Sequence, residues 1–169
     1  MKECLDLVDT TTTGGRNDVT PLFGDYQAFS ALLDDLFALC RDIEYDTVVG
    51  IDALGFILGS ALAVRAEKPF VPIRKGGKLP VEAHKASFID YTGTEKSLEI
   101  RPDALTLQNR VLLVDEWIET AAQVKAAIGL IEGLDAEVAA VLAIVIDDSP
   151  TIRELGDKYP ILEISQDYE

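Results

Sequence analysis

Val111-Leu-Leu-Val114 is an unbroken apolar run set between Arg110 and two adjacent carboxylates, Asp115 and Glu116. A run of this kind, bounded by charge, reads as a central strand buried on both faces. Thr120 then opens a helical pattern in which Val124, Ala127, Ile128 and Ile131 recur at three- and four-residue steps. A strand that passes through two acids into a helix belongs to an open α/β sheet. In such sheets ligands lie beyond the carboxyl ends of the strands, where helix N-termini present free N–H groups. Paired acids there suit the two hydroxyls of a ribose, and the N–H groups suit a phosphate.

The same alternation runs through the chain. Residues 25–42 carry a helical period through Phe29, Leu32, Leu33, Leu36, Phe37 and Cys40, which places Cys40 in the core. Thr47–Ile51 reads as a short buried strand, followed by Asp52-Ala-Leu-Gly-Phe56 and a small-residue helix to Ala66. Phe70–Ile73 is a further strand, and the basic turn Arg74-Lys-Gly-Gly-Lys-Leu-Pro80 follows it directly. Residues 80–94 are polar and without period, a loop or hairpin of the length that serves as a lid. Ser97–Ile100 is a strand, Ala136–Ile146 another, Ser149–Lys158 a helix with Pro150 in its first turn, and Ile161–Ile164 a last strand. Gly14-Gly15, after four threonines, marks loop. The expected fold is α/β: one domain over residues 1–169, an open and mainly parallel sheet with helices on both faces and a flexible hairpin over the site.

Composition narrows the function. With 169 residues, one domain has room for a real core. A net charge of −15 argues against nucleic acid and anionic membranes, both of which reward positive charge. Any phosphate site must therefore be locally basic. Of the 15 basic side chains, four fall between Arg74 and Lys85, and that cluster is the candidate anion-facing patch. No apolar run approaches the roughly 20 residues that span a bilayer. Two cysteines, Cys4 and Cys40, give neither a disulfide framework nor a metal spacing, so a cytoplasmic setting is expected.

The strand, the acids and Thr120 resemble the signature of the type I phosphoribosyltransferases, in which an apolar strand leads to two acids and a loop ending Thr-Gly-Gly-Thr. The adenine branch of that family is closest. Arg74-Lys-Gly-Gly-Lys-Leu-Pro80 resembles its pyrophosphate-binding segment, and Asp52, Ala53, Gly55 and Phe56 resemble its pyrophosphate loop. Asp18-Val-Thr-Pro-Leu22 is similar to its entry into the first long helix, and Asp90-Tyr91 to a Glu-Tyr pair on its lid. The likeness spans about residues 18–146. It implies that Asp115 and Glu116 hold the ribose, and that Glu119, Thr120, Ala121, Ala122 and Gln123 form the 5′-phosphate loop. It further implies that Asp52, Ala53, Leu54, Gly55, Arg74, Lys75 and Lys78 meet the pyrophosphate, and that Asp90 handles the proton at the base. Mg²⁺ carried by the substrate, phosphoribosyl pyrophosphate or a nucleotide as ligand, a nucleobase as co-substrate and a homodimer also come with the resemblance.

Several positions depart from that pattern. Ala121, Ala122 and Gln123 stand in place of Gly-Gly-Thr, Glu119 in place of a neutral residue, and Leu54 in place of an Arg. An alanine in left-handed geometry costs roughly 1–2 kcal/mol. Thr120-x-x-Gln123 also forms a capping-box pattern, which would consume N–H donors that a phosphate needs. Gly14-Gly15-Arg16-Asn17 departs from the family's more apolar base-binding segment, so the base-binding residues are not assigned. Adenine is the first expectation for the base. The alternatives are a non-catalytic module that binds a nucleotide or phosphoribosyl metabolite on the same fold, and an enzyme whose sugar lacks a 5′-phosphate. His84 and Trp117 have no assigned role.

Overall fold

The computed structural model describes residues 2–13 and 17–164, with only the backbone of residues 2–4. Gly14, Gly15 and Arg16 of the base-segment reading, and the Cys4 side chain, lie outside the described residues. A 3₁₀ turn (Lys2–Leu7) and α1 (Thr20–Gly24) lead into α2 (Tyr26–Leu39). Asp25 caps α2 by accepting the Ala28 N–H at 2.9 Å, which satisfies one of the donors a helix start leaves open. There follow β1 (Thr47–Ile51), α3 (Leu54–Ala66), β2 (Phe70–Lys75), β3 (His84–Ile89), β4 (Glu95–Ile100), β5 (Arg110–Val114) and β6 (Trp117–Ile118). The chain continues through α4 (Ala122–Glu132), β7 (Glu137–Ala143), β8 (Val145–Ile146), α5 (Pro150–Gly156) and β9 (Ile161–Glu163).

The main sheet has seven strands in the order β3-β4-β2-β1-β5-β7-β9. Strands β2, β1, β5, β7 and β9 run parallel, and β4 and β3 add an antiparallel hairpin at one edge. Strand alternation sorts the core into two layers. Val48, Leu112, Val114 and Leu142 point to one face, against Leu32 and Leu36 of α2 and Leu58 and Leu62 of α3. Val49, Ile51, Val111 and Leu113 point to the other, against Val124, Ile128 and Ile131 of α4 and Leu155 of α5. Cys40 is buried with the first layer, as its helical position implied. Among the described residues no helix is long and apolar enough to cross a membrane.

The expected strand Ala136–Ile146 is two strands. The chain leaves the main sheet at Ile144, whose N–H is donated to the Glu116 carbonyl at 3.1 Å, and β8 then pairs with β6 in a separate two-stranded sheet. Continuous apolarity hid the break, because both halves are buried and no polar residue marks the change of partner. The small-residue helix starts at Leu54, earlier than Phe56, and the polar stretch 80–94 becomes most of a β-hairpin.

α3 packs so closely on the sheet that side chains are excluded at the contact. A Cβ on Gly50 would lie 2.5 Å from the Gly55 carbonyl oxygen and 2.8 Å from the Phe70 ring. Backbone at that distance cannot yield as a flexible side chain would. Gly50→Ala is expected to cost roughly 1–3 kcal/mol by overpacking, read as a lower denaturant midpoint at unchanged slope. A midpoint equal to the wild type would show that α3 does not press on β1.

Candidate active site

β1, β2 and β5 are neighbours, and being parallel they end at one edge of the sheet. The Asp52 loop, the basic turn and the paired acids therefore emerge side by side. Two contacts join them. Asp52 Oδ2 accepts the Arg74 Nε–H and the Lys75 N–H, each at 3.4 Å. A Cβ on Gly55 would lie 2.7 Å from the Val114 carbonyl oxygen and 3.2 Å from Asp115 Oδ1, so glycine lets the start of α3 lie against the acid. Leu54, where the resemblance expected an Arg, is half-buried and packs on the α2–α3 layer instead of adding charge.

The basic turn is held from beneath by Glu99 of β4. Its carboxylate accepts the N–H groups of Gly77 at 3.1 Å, Lys78 at 2.6 Å and Leu79, and Lys85 Nζ lies 3.8 Å away. Glu99 is only 1% exposed. The Leu79 N–H above all, with those of Gly77 and Lys78, holds its pKa below the usual carboxylate range, against the effect of burial. Sequence reasoning passed over Glu99, although an acid between Leu98 and Ile100 in a short apolar strand is the kind of buried charge that demands partners. With its backbone donors engaged by Glu99, the turn presents the exposed side chains of Lys75 and Lys78 outward.

Asp115 is 3% exposed. Its Oδ1 accepts the Glu116 N–H at 2.9 Å and its Oδ2 accepts the Gln123 Nε2–H at 3.0 Å. Burial, then the charge of Glu116, pushes its pKa well up, against the pull of the Gln123 hydrogen bond. The expected capping box is absent. α4 starts at Ala122, not Thr120, and Gln123 reaches back to Asp115 rather than to the Thr120 N–H. Ala121 takes left-handed backbone (φ 59°). Its methyl is buried, which returns about 0.8 kcal/mol against the strain. The Ala122 N–H makes only a 3.5 Å contact with Thr120 Oγ1. Among the described residues no hydrogen bond engages the N–H groups of Gln123 and Val124. Helix donors left in this way are suited to an anion.

The β3–β4 hairpin covers these parts. A cavity of about 630 Å³ runs beneath it, bounded by Lys75, Gly76, Asp90, Tyr91, Ser97 and Gln123. A smaller one of about 60 Å³ adjoins it between Asp90, Tyr91, Asp115 and residues 117–121. A third, about 320 Å³, lies between Asn17, Val19, Tyr91, Glu116, Trp117 and Asp147. Tyr91 touches all three, so one lid residue spans the crevice. Asp90 Oδ1 accepts Thr92 N–H (2.9 Å), Thr92 O–H (2.6 Å) and Thr94 N–H (3.0 Å), forming the turn at the hairpin tip. The Thr92 hydroxyl first, with these N–H groups, lowers the Asp90 pKa. Trp117 donates its indole N–H to Asp147 Oδ1 at 3.2 Å and packs on the α2–α3 layer, while His84 is exposed on β3.

Residues 25–168 match the phosphoribosyl transferase domain family. The chain belongs to that family. It is 42% identical over 121 residues to the adenine phosphoribosyltransferase of Halothermothrix orenii, covering 72% of this chain and 71% of the relative. It is 40% identical over 145 residues to that of Chlorobaculum tepidum, covering 82% and 81%. The fold is similar to the crystal structure of adenine phosphoribosyltransferase from Thermoanaerobacter pseudethanolicus (TM-score 0.84, 29% identity, 96% of this chain and 97% of the other). It is also similar to that of Saccharomyces cerevisiae, complexed with an imino-altritol bisphosphate and adenine (TM-score 0.80, 27% identity, 95% of each chain).

Glu99→Gln is expected to lower the thermal midpoint near neutral pH. The sign of its pH dependence follows from the depressed pKa. The carboxylate's contribution is whole above its unfolded pKa of about 4.3 and is lost as pH falls through the lower folded value. The gap between wild type and Glu99→Gln should therefore close in acid, and a gap independent of pH would contradict the anion cradle.

Proposed function

We propose that this chain transfers the phosphoribosyl group of phosphoribosyl pyrophosphate to adenine, giving adenosine monophosphate and pyrophosphate. The observation that carries the reading is the meeting of two buried-edge features under one lid: paired acids after β5 and a cationic turn after β2. The adenine enzymes among its relatives support the choice of base.

In this reading Asp115 and Glu116 accept hydrogen bonds from the ribose 2′- and 3′-hydroxyls. Residues Glu119–Gln123 wrap the 5′-phosphate, with the first N–H groups of α4 aimed at it. Arg74, Lys75 and Lys78, with the Asp52–Gly55 loop, meet the pyrophosphate. A base nitrogen forms its bond to C1 as the C1–O bond to pyrophosphate breaks and that electron pair leaves with the pyrophosphate. Negative charge grows on the leaving group, and the cations stabilise it. The base must also lose a proton. Asp90 offers Oδ2, the oxygen its turn does not use, but its lowered pKa makes it a weak base, so it accepts a hydrogen bond from the N–H while the proton passes on to solvent water.

No three His, Cys, Asp or Glu side chains among the described residues lie together in a way that would cage a cation. That fits a Mg²⁺ brought in on the substrate's own oxygens, with the protein offering charge at their edge. Mg²⁺ would further neutralise the departing pyrophosphate. We further propose a homodimer. α3 leaves Ile57 (42% exposed) and Val64 (81%) on its outer side, apolar surface suited to a second copy. The buried Cys40 thiol is in keeping with a cytoplasmic setting.

The test is pyrophosphate release from phosphoribosyl pyrophosphate with Mg²⁺ and each nucleobase in turn. Turnover is expected with adenine. Arg74→Ala is expected to raise KM for phosphoribosyl pyrophosphate about ten- to hundredfold, the weight of one charged hydrogen bond. Tight binding of the substrate with no release for any base would identify a binding protein instead.

A further inference from the structure

Gln123 does something that the family likeness does not describe. It stands on the first turn of α4, past the left-handed Ala121, and its side chain turns back eight residues along the chain to Asp115. Asp115 is hemmed in at Oδ1 and opens only toward the small cavity. Oδ1 is taken by the Glu116 N–H, and the Gly55 backbone lies where even a methyl group would come within 3.2 Å of it. The amide of Gln123 is therefore the one side-chain donor on this carboxylate among the described residues. Gln123 also borders both the large and the small cavity, so a hydroxyl that reaches Asp115 does so alongside the amide.

We infer that Gln123 is a positioning residue, whose amide holds the Asp115 carboxylate in the orientation that receives a sugar hydroxyl. The inference rests on the proposed ribose role of Asp115. A carboxylate buried beside a second acid needs a fixed donor, or it rotates or takes up a proton. One Gln N–H does this, and leaves the other N–H and Oε1 for a ligand hydroxyl. The remaining charges around Asp115 are Glu116 on its own segment, Asp90 and Glu119 across the small cavity, and Lys75, Glu95 and Lys96 farther under the lid. Of these groups only Glu116 donates to Asp115, and it does so through its backbone N–H.

Gln123→Leu keeps most of the volume and removes the donor. It is expected to raise KM for phosphoribosyl pyrophosphate roughly ten- to hundredfold, to leave KM for adenine within about twofold, and to keep the thermal midpoint close to the wild type. Gln123→Glu puts a second carboxylate against Asp115. Its deficit relative to wild type is expected to shrink as pH falls, because two acids at hydrogen-bond distance share a proton and the shared proton restores the donor. A purely structural Gln123 would move the midpoint and both KM values together and would show no such recovery, and either result overturns the inference. The Kd for adenosine monophosphate, by calorimetry on the same proteins, separates the two readings. If wild type binds the nucleotide but does not turn over, the enzymatic reading fails and the Kd values of the variants still decide the role of Gln123. If wild type binds neither nucleotide nor substrate, both fall.

Discussion

Two backbones touch where α3 leaves the sheet, and the site depends on that contact. Gly50 makes room for the Gly55 carbonyl, and Gly55 makes room for the Val114 carbonyl and the Asp115 carboxylate. Side chains at either position would push the helix outward by the width of a methyl group. The Asp52 loop would then part from the acids of β5, and with it the arginine that Asp52 orients. Parallel topology brings the three strand ends to one edge, and the paired glycines close the gaps between the loops that follow them.

Charge is arranged against the character of the whole chain. The protein carries a net charge of −15, yet the crevice pairs cations with acids that are buried or engaged. Glu99 anchors the basic turn through its backbone and leaves the ammonium groups outside. Asp115 is desolvated beside Glu116, which raises its pKa, and the Glu116 N–H and the Gln123 amide pull the other way. Local placement thus reverses at one edge what the composition implies for the surface at large.

Much of this was legible from residue pattern. The apolar run before Asp115 and the period of α2 each follow from a local rule, and the structure keeps both. The expected turn Arg74–Pro80 is shorter, because β2 runs on through Lys75 to pair with β4 and the turn begins at Gly76. Three features were not legible, each for the same reason. The break at Ile144 is a change of partner inside a uniformly apolar stretch. Thr120 and Gln123 satisfy a local capping pattern, but the Gln123 amide donates its Nε2–H to the buried Asp115 carboxyl, a partner that lies eight residues back. Glu99 gains its meaning only when the hairpin brings β4 beside β2. Long-range pairing decided each of them, and spacing along the chain does not encode it.

A crystal structure with adenosine monophosphate tests the arrangement most directly. The ribose hydroxyls are expected within hydrogen-bond distance of Asp115 and Glu116, with the 5′-phosphate on the N–H groups of Ala122, Gln123 and Val124. A nucleotide whose phosphate points away from the start of α4, or whose ribose sits clear of Asp115, would contradict it.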